Sequence, residues 1–137
     1  MIEITLKRTL DEGFVSDVLI CAFDGVFGAC WYWSEPRRMP VSGSFLVTSL
    51  DDPNQWVSVD IAVENEAGPE GAVTKYVVDA DAIRTGMQRI LDDSDLIAPY
   101  IRDYVLSAVA EQDAGHIDAE AADCIVQVGI FGHLVYG

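Results

Sequence analysis

Asp123 and Gln127 stand four residues apart in residues 117–137, IDAEAADCIVQVGIFGHLVYG, a run whose apolar positions read as a capped helix passing into an apolar tail. On a helix that spacing puts both side chains on one face, where they can bond a common partner. One chemistry open to them is general-base catalysis. Asp123 would be the base and Gln127 would orient it, with His116 or His133 nearby and Glu120 one turn earlier. The other is structural, because a polar group inside an apolar pattern is costly to bury unless it is paired. Asp123 and Gln127 would then satisfy backbone groups of a strand or loop, and this structural polar pair is the preferred reading.

A second constellation lies in residues 25–40, GVFGACWYWSEPRRMP. In an extended segment Trp31 and Trp33 share one face and Tyr32 takes the other. The indoles either pack on a neighbouring helix or form a stacking platform for a base or aromatic ligand, with Arg37 and Arg38 supplying charge. Further on, Arg84 and Arg89 form a basic pair on the outer face of an expected helix. They either bind a carboxylate or phosphate or remain solvated. Trp31, Trp33, Arg84 and Arg89 together make a nucleotide site one alternative.

Other site chemistry is not written in the spacing. His116 and His133 sit in no HExxH or other close ligand arrangement, so no metal is expected. Asp79, Asp81, Asp92, Asp93 and Asp95 lack the alternation and central glycine of an EF-hand and read as caps and turns. Neither GxGxxG nor GxxxxGK[ST] occurs, and VSGSF around Ser42 and Ser44 is no nucleophile elbow. No cofactor is expected, and the balance leans away from an enzyme.

Charge bears more directly on partners. Asp and Glu number 23 against 8 Lys and Arg, a formal charge of −15. That field repels phosphate backbones, which disfavours direct nucleic-acid binding, and it attracts basic proteins or imitates nucleic acid toward them. It could equally serve only to keep a chain of mean hydropathy +0.21 soluble. The carboxylates expected to form an acidic surface are Asp17, Asp24, Glu64, Glu66 and Glu70. Cys21, Cys30 and Cys124 are odd in number and widely spaced, in keeping with core thiols of a reducing cytoplasm. No leader is expected at the start, and no apolar run approaches the roughly 20 residues of a membrane helix.

The elements that must position these residues follow from periodicity. Residues 2–7 alternate as a strand, and Thr9 with Glu12 has capping-box spacing. Phe14, Val15, Val18, Leu19, Ala22 and Phe23 then line one helical face, and Gly25 can end it. Residues 44–50 suggest a short strand before the turn DDPN. Val57, Val59, Ile61 and Val63 alternate as a one-sided strand, ENEAGPEG at 64–71 reads as a hairpin loop, and Tyr76, Val77 and Val78 return. Asp79 or Asp81 caps a helix bearing Ile83, Met87, Ile90 and Leu91. Ser94 or Asp95 caps the next, whose apolar face is Ile97, Tyr100, Ile101, Tyr104, Val105, Ala108 and Val109. Asp118, with Ile117 as hydrophobic staple, opens the last helix, buried through Ala121, Ala122, Ile125, Val126 and Ile130. Gly129 and Gly132 loosen its end before Leu134, Val135 and Tyr136. The expectation is one α+β domain over 1–137, a small antiparallel sheet packed against a single layer of about four helices. The same apolar surfaces could close a monomer core or form an isologous homodimer.

Within 118–137, Asp118, Ala122, Asp123, Gln127, Phe131, Gly132, Tyr136 and Gly137 make up an acidic-alanine start, an Asp, an internal Gln, Phe-Gly and a closing Tyr-Gly. That pattern resembles the ending of a group of small acidic proteins of actinobacteria and their bacteriophages. The helix from Phe14 followed by Tyr32-Trp33, and the strand and helix of 78–91 with Gly86, are similar to theirs. His133 replaces a commonly acidic residue, and the segment 34–54 is longer. The resemblance carries no assigned activity. It implies a phage or prophage accessory protein in a bacterial cytoplasm, where an acidic protein would bind a host protein with a basic surface.

Overall fold

The computed structural model describes residues 11–23, 45–48, 54–64 and 72–135. The strand expected at 2–7, the Thr9 cap residue, Asp24, Gly25, Trp31, Trp33, Glu66, Glu70, the hairpin loop and Tyr136 lie outside them, as does the Glu64 side chain.

Asp11 opens the first helix, α1 (Glu12–Phe23). Its carboxylate accepts the Phe14 N–H at 2.7 Å and its carbonyl accepts the Val15 N–H at 3.2 Å. The Thr9 half of the expected capping box lies outside the described residues, and Asp11 supplies a first-turn bond of its own, as a short polar side chain does at a helix start. The face read from the spacing, Phe14, Val15, Val18, Leu19, Ala22 and Phe23, is buried.

Among the described residues, three antiparallel strands in the order β1-β2-β3 form a sheet, with β1 Phe45–Thr48, β2 Trp56–Glu64 and β3 Val73–Val78. Val59, Ile61 and Val63 point into the core, yet Val57, of the same parity, is 44% exposed. The register explains it. Val47 faces Ser58 and Thr48 faces Trp56, so Val57 is an extra residue without a partner opposite. Such a bulge twists the strand end and re-aims its side chains. The same end is tied to α1, where the buried Ser16 Oγ accepts the Trp56 N–H at 2.8 Å.

Three further helices follow, α2 (Ala80–Asp92), α3 (Pro99–Glu111) and α4 (Ala119–Phe131), with a 3₁₀ turn at Ala114–His116. Asp79 rather than Asp81 caps α2, accepting the Ala82 N–H at 3.0 Å, and Asp118 caps α4 through Ala121 at 2.7 Å. The α3 cap expected at Ser94 or Asp95 is instead Ala98, which offers no side-chain bond. Pro99 decides this. Its ring disfavours helical geometry in the residue before it, and Ala98 sits at φ −58, ψ 141, so the helix starts at the proline itself. Arg102 of α3 reaches back to the end of α2, donating to Ile90 O at 3.2 Å and Leu91 O at 2.8 Å, where a cation meets unsatisfied carbonyls.

The packing centres on α4, which meets α1, α2, α3 and β3, while α3 lies chiefly on α2, α4 and the 3₁₀ turn. Leu19, Ile61, Ile83, Ile90 and Ile125 are fully buried among these elements. Each such side chain contributes roughly 1.5–3 kcal/mol of apolar burial. Where α2 crosses α4, backbone meets backbone. A Cβ on Gly86 would lie 2.1 Å from Ile125 O, and one on Gly129 2.2 Å from Ala82 O. Gly129, expected to loosen the helix end, instead permits this close crossing, and Gly132 alone (φ 85) makes the left-handed stop. The result is an α+β fold with a small sheet.

Candidate functional site

Asp123 and Gln127 meet as their spacing requires. Gln127 is 1% exposed, its Nε2 donates to Asp123 Oδ2 at 2.9 Å, and its Oε1 accepts the Val135 N–H at 2.9 Å. Both ends of the amide are engaged, so the pair fastens the tail beyond Gly132 onto α4. The edge-on contact of Tyr76 with Phe131, centroids 5.2 Å apart, closes the same end against β3. His133 is exposed, and His116 is engaged elsewhere, by Glu111.

The two arginines diverge. Five residues on a helix turn through about 140° net, and the surroundings differ accordingly. Arg84 lies 3.8 Å from Asp81 and, with Glu12, Gln55 and Trp56, lines a cleft of about 160 Å³. Arg89 instead lies beside Gly132, where a Cβ would be 3.7 Å from its Nη1, at the negative end of the α4 dipole. Trp56 is the indole that shares this cleft with Arg84, and Trp31 and Trp33 lie outside the described residues.

Carboxylates gather on another side. The Cys21 thiol donates to Ile117 O at 3.7 Å, which sets α1 against the turn leading into α4. Asp17 of α1 and Asp118, the α4 cap, act on this thiol, and Asp11, just ahead of α1, and Asp113, the cap of the 3₁₀ turn, act on Asp17; all four are exposed. Their mutual proximity shows in their chemistry. Partial burial, then the charges of Asp11 and Asp113, push the Asp17 carboxyl above the usual carboxylate range. Burial, then Asp17 and Asp118, raises the Cys21 thiol, and burial, then Asp123 with Glu120 and Asp118, pushes Cys124 up to about 12. Both thiols stay protonated at neutral pH and are poor nucleophiles.

The acidic side continues along α3. Tyr100 and Tyr104, expected in the apolar face, are 48% and 40% exposed. Ile101, Val105 and Ala108 fill the buried arc, and at 100° per residue the two tyrosines fall to its flank. Their rings meet at 79° with centroids 6.1 Å apart, and the Tyr100 hydroxyl donates to Glu120 Oε1 at 2.5 Å. That bond, reinforced by desolvation and by the Glu120 charge, pushes the phenol up to about 12. Glu111 lies on the same exposed stripe, three turns beyond Tyr100. Among the described residues, Glu111, Asp113 and His116 also bring ligand atoms within 4.8 Å of one another. These are donors a divalent cation accepts, but the His116–Glu111 contact is already a charge-assisted bond and stands in water without needing an ion.

Neither protein-family models nor curated proteins nor solved structures give a match to this chain. Among the described residues, no helix is long and apolar enough to cross a membrane.

Proposed function

We propose that the protein acts by binding, engaging a protein partner with a basic surface through the carboxylates of α1, the 3₁₀ turn and the start of α4. One observation carries this reading: the Cys21–Ile117 contact sets two distant stretches of chain together, so that exposed Asp11 and Asp17 share one side with exposed Asp113 and Asp118, and after burial their charges are what raises the Asp17 carboxyl and the Cys21 thiol. Like charges so gathered destabilise the free protein and are relieved when a cationic surface covers them. The overall charge of −15 extends the same attraction to long range. In the phage or prophage setting that the C-terminal pattern implies, the partner is a host protein, for instance one that binds nucleic acid, and the compartment is the host cytoplasm. A nucleotide site draws less support, since Arg84 and Arg89 point to different surroundings. Catalysis by Asp123 and Gln127 draws none from an amide whose two ends are already bonded.

The test is affinity capture from an actinobacterial lysate by the wild-type chain and by Asp17→Lys/Glu111→Lys, over a series of salt concentrations. A stoichiometric partner released by salt and lost to the variant is the expected result. Equal capture by both proteins at every salt concentration overturns the reading.

A further inference from the structure

Tyr100 and Tyr104 are large, rigid side chains left in water on a helix whose neighbouring surface is acidic. Exposed tyrosines are themselves ordinary. These two differ in arrangement. Their rings meet edge to face at 79°, and Glu120, bonded to the Tyr100 hydroxyl, holds a carboxylate at the tip of one of them. Asp103 is exposed between them in sequence and Asp118 caps the adjacent helix, while Arg102, also between them, is turned to the end of α2, where it donates to Ile90 O and Leu91 O. An aromatic face attracts a cation through its quadrupole, and a carboxylate adds a directional acceptor. Together these select a flat cation carried on an apolar stem.

We propose that the exposed Tyr100–Tyr104–Glu120 group is the anchoring point of the acidic face and receives an arginine side chain of the basic partner. This rests on the acidic-face reading and adds to it the point of contact. Arginine fits better than lysine for geometric reasons. Its planar guanidinium can lie on a ring while its N–H fork meets the carboxylate, whereas an ammonium is a compact, strongly hydrated charge. Tyrosine and arginine are also the residues that dominate binding energy at protein interfaces. The stripe from Tyr100 through Tyr104 to Glu111 then runs onto the Asp113 and Asp17 side, which gives a basic segment further carboxylates beyond the anchor.

Nona-arginine, nona-lysine and an uncharged Gly-Ser peptide serve as probes, with affinity from calorimetry and ring contacts from aromatic NMR shifts. Tyr104→Leu and Tyr100→Leu remove ring faces at exposed positions, and circular dichroism verifies that each variant folds. A cation–π contact of about 1–2 kcal/mol corresponds to a loss of roughly five- to thirty-fold in nona-arginine affinity. Shifts of the Tyr100 and Tyr104 ring signals by nona-arginine, exceeding those caused by nona-lysine, are expected with it. If Asp17→Lys/Glu111→Lys weakens nona-arginine binding while both Leu variants bind like wild type, the acidic face stands and the anchor is overturned. Equal loss for nona-lysine overturns the assignment to arginine. No binding of nona-arginine even at low salt overturns the acidic face and the anchor together.

Discussion

Replacing Gly86 by alanine should destabilise this protein, although the same change inside an ordinary helix stabilises it. Gly86 lies mid-helix in α2, where exchange to alanine alone is worth about 1 kcal/mol in favour of the helix. Against that stands the crossing with α4. The new Cβ would lie 2.1 Å from Ile125 O and 3.1 Å from Gly129 N, both backbone atoms that cannot rotate away. A relaxed carbon–oxygen contact is roughly 1.2 Å longer, so α2 and α4 must part or tilt, and the dispersion contacts around Ile83, Ile90 and Ile125 weaken. Overpacking a tight core costs typically 1–3 kcal/mol, occasionally more, and two backbone atoms put this site at the upper end. The net loss is therefore about 2 kcal/mol after the helix gain is subtracted. Gly13 gives the control, since a Cβ there finds only the Asp11 carboxylate at 3.4 Å, an ordinary van der Waals contact. Gly13→Ala should match or exceed wild-type stability. Urea denaturation of the two variants measures both signs. A Gly86→Ala protein as stable as wild type, with an unchanged denaturant slope, would refute the backbone-to-backbone crossing.

Other perturbations address the remaining contacts. Gln127→Leu removes two hydrogen bonds of a fully buried amide and leaves the Val135 N–H without its acceptor. It should cost about 1–3 kcal/mol, with faster hydrogen exchange at Val135 as the local signature. The raised Asp17 carboxyl has a definite sign: its ionised form is disfavoured in the folded state, so folding gains as pH falls through its elevated pKa. Wild-type stability should show that gain on mild acidification, and Asp17→Asn should lack it while matching or exceeding wild type at neutral pH. Tyr100 should ionise near 12 by ultraviolet absorbance, and Glu120→Gln should bring it down toward the ordinary phenol value. Because its folded pKa is raised, the stabilisation by the Tyr100–Glu120 bond is complete below the unfolded phenol's pKa and disappears as pH climbs to about 12.

What could be read from the chain is local in origin. Asp118 declares itself as a cap, and the α2 cap narrows to Asp79 or Asp81, because the amides such residues bond lie three residues on, and the α1 face and the Val59–Ile61–Val63 alternation rest on spacings equally short. Pro99 was legible too, but its effect on Ala98 outweighs the better capping chemistry of Ser94 and Asp95. The misses depend on which elements meet. Nothing near Val57 announces that β1 pairs around it, and nothing near Gly129 says that Gly86 lies opposite. Nothing near Ser16 in the sequence announces the Trp56 amide that its hydroxyl accepts. For the site, the Asp123–Gln127 spacing located a contact, while only the third partner, Val135, shows what it holds. Tyr100 and Tyr104 were hidden by their apolar rings; their one-residue offset from Ile101 and Val105 was the available sign of a flank.

The most direct measurement of the acidic-face account is the association rate of the wild-type protein with its captured partner as ionic strength rises. Screening shortens the reach of the field to about 8–10 Å near physiological salt. A face that steers a basic partner should associate several-fold more slowly across that range, and Asp17→Lys/Glu111→Lys should start slow and hardly respond. Association rates that ignore salt, and that the reversed charges leave unchanged, would contradict it.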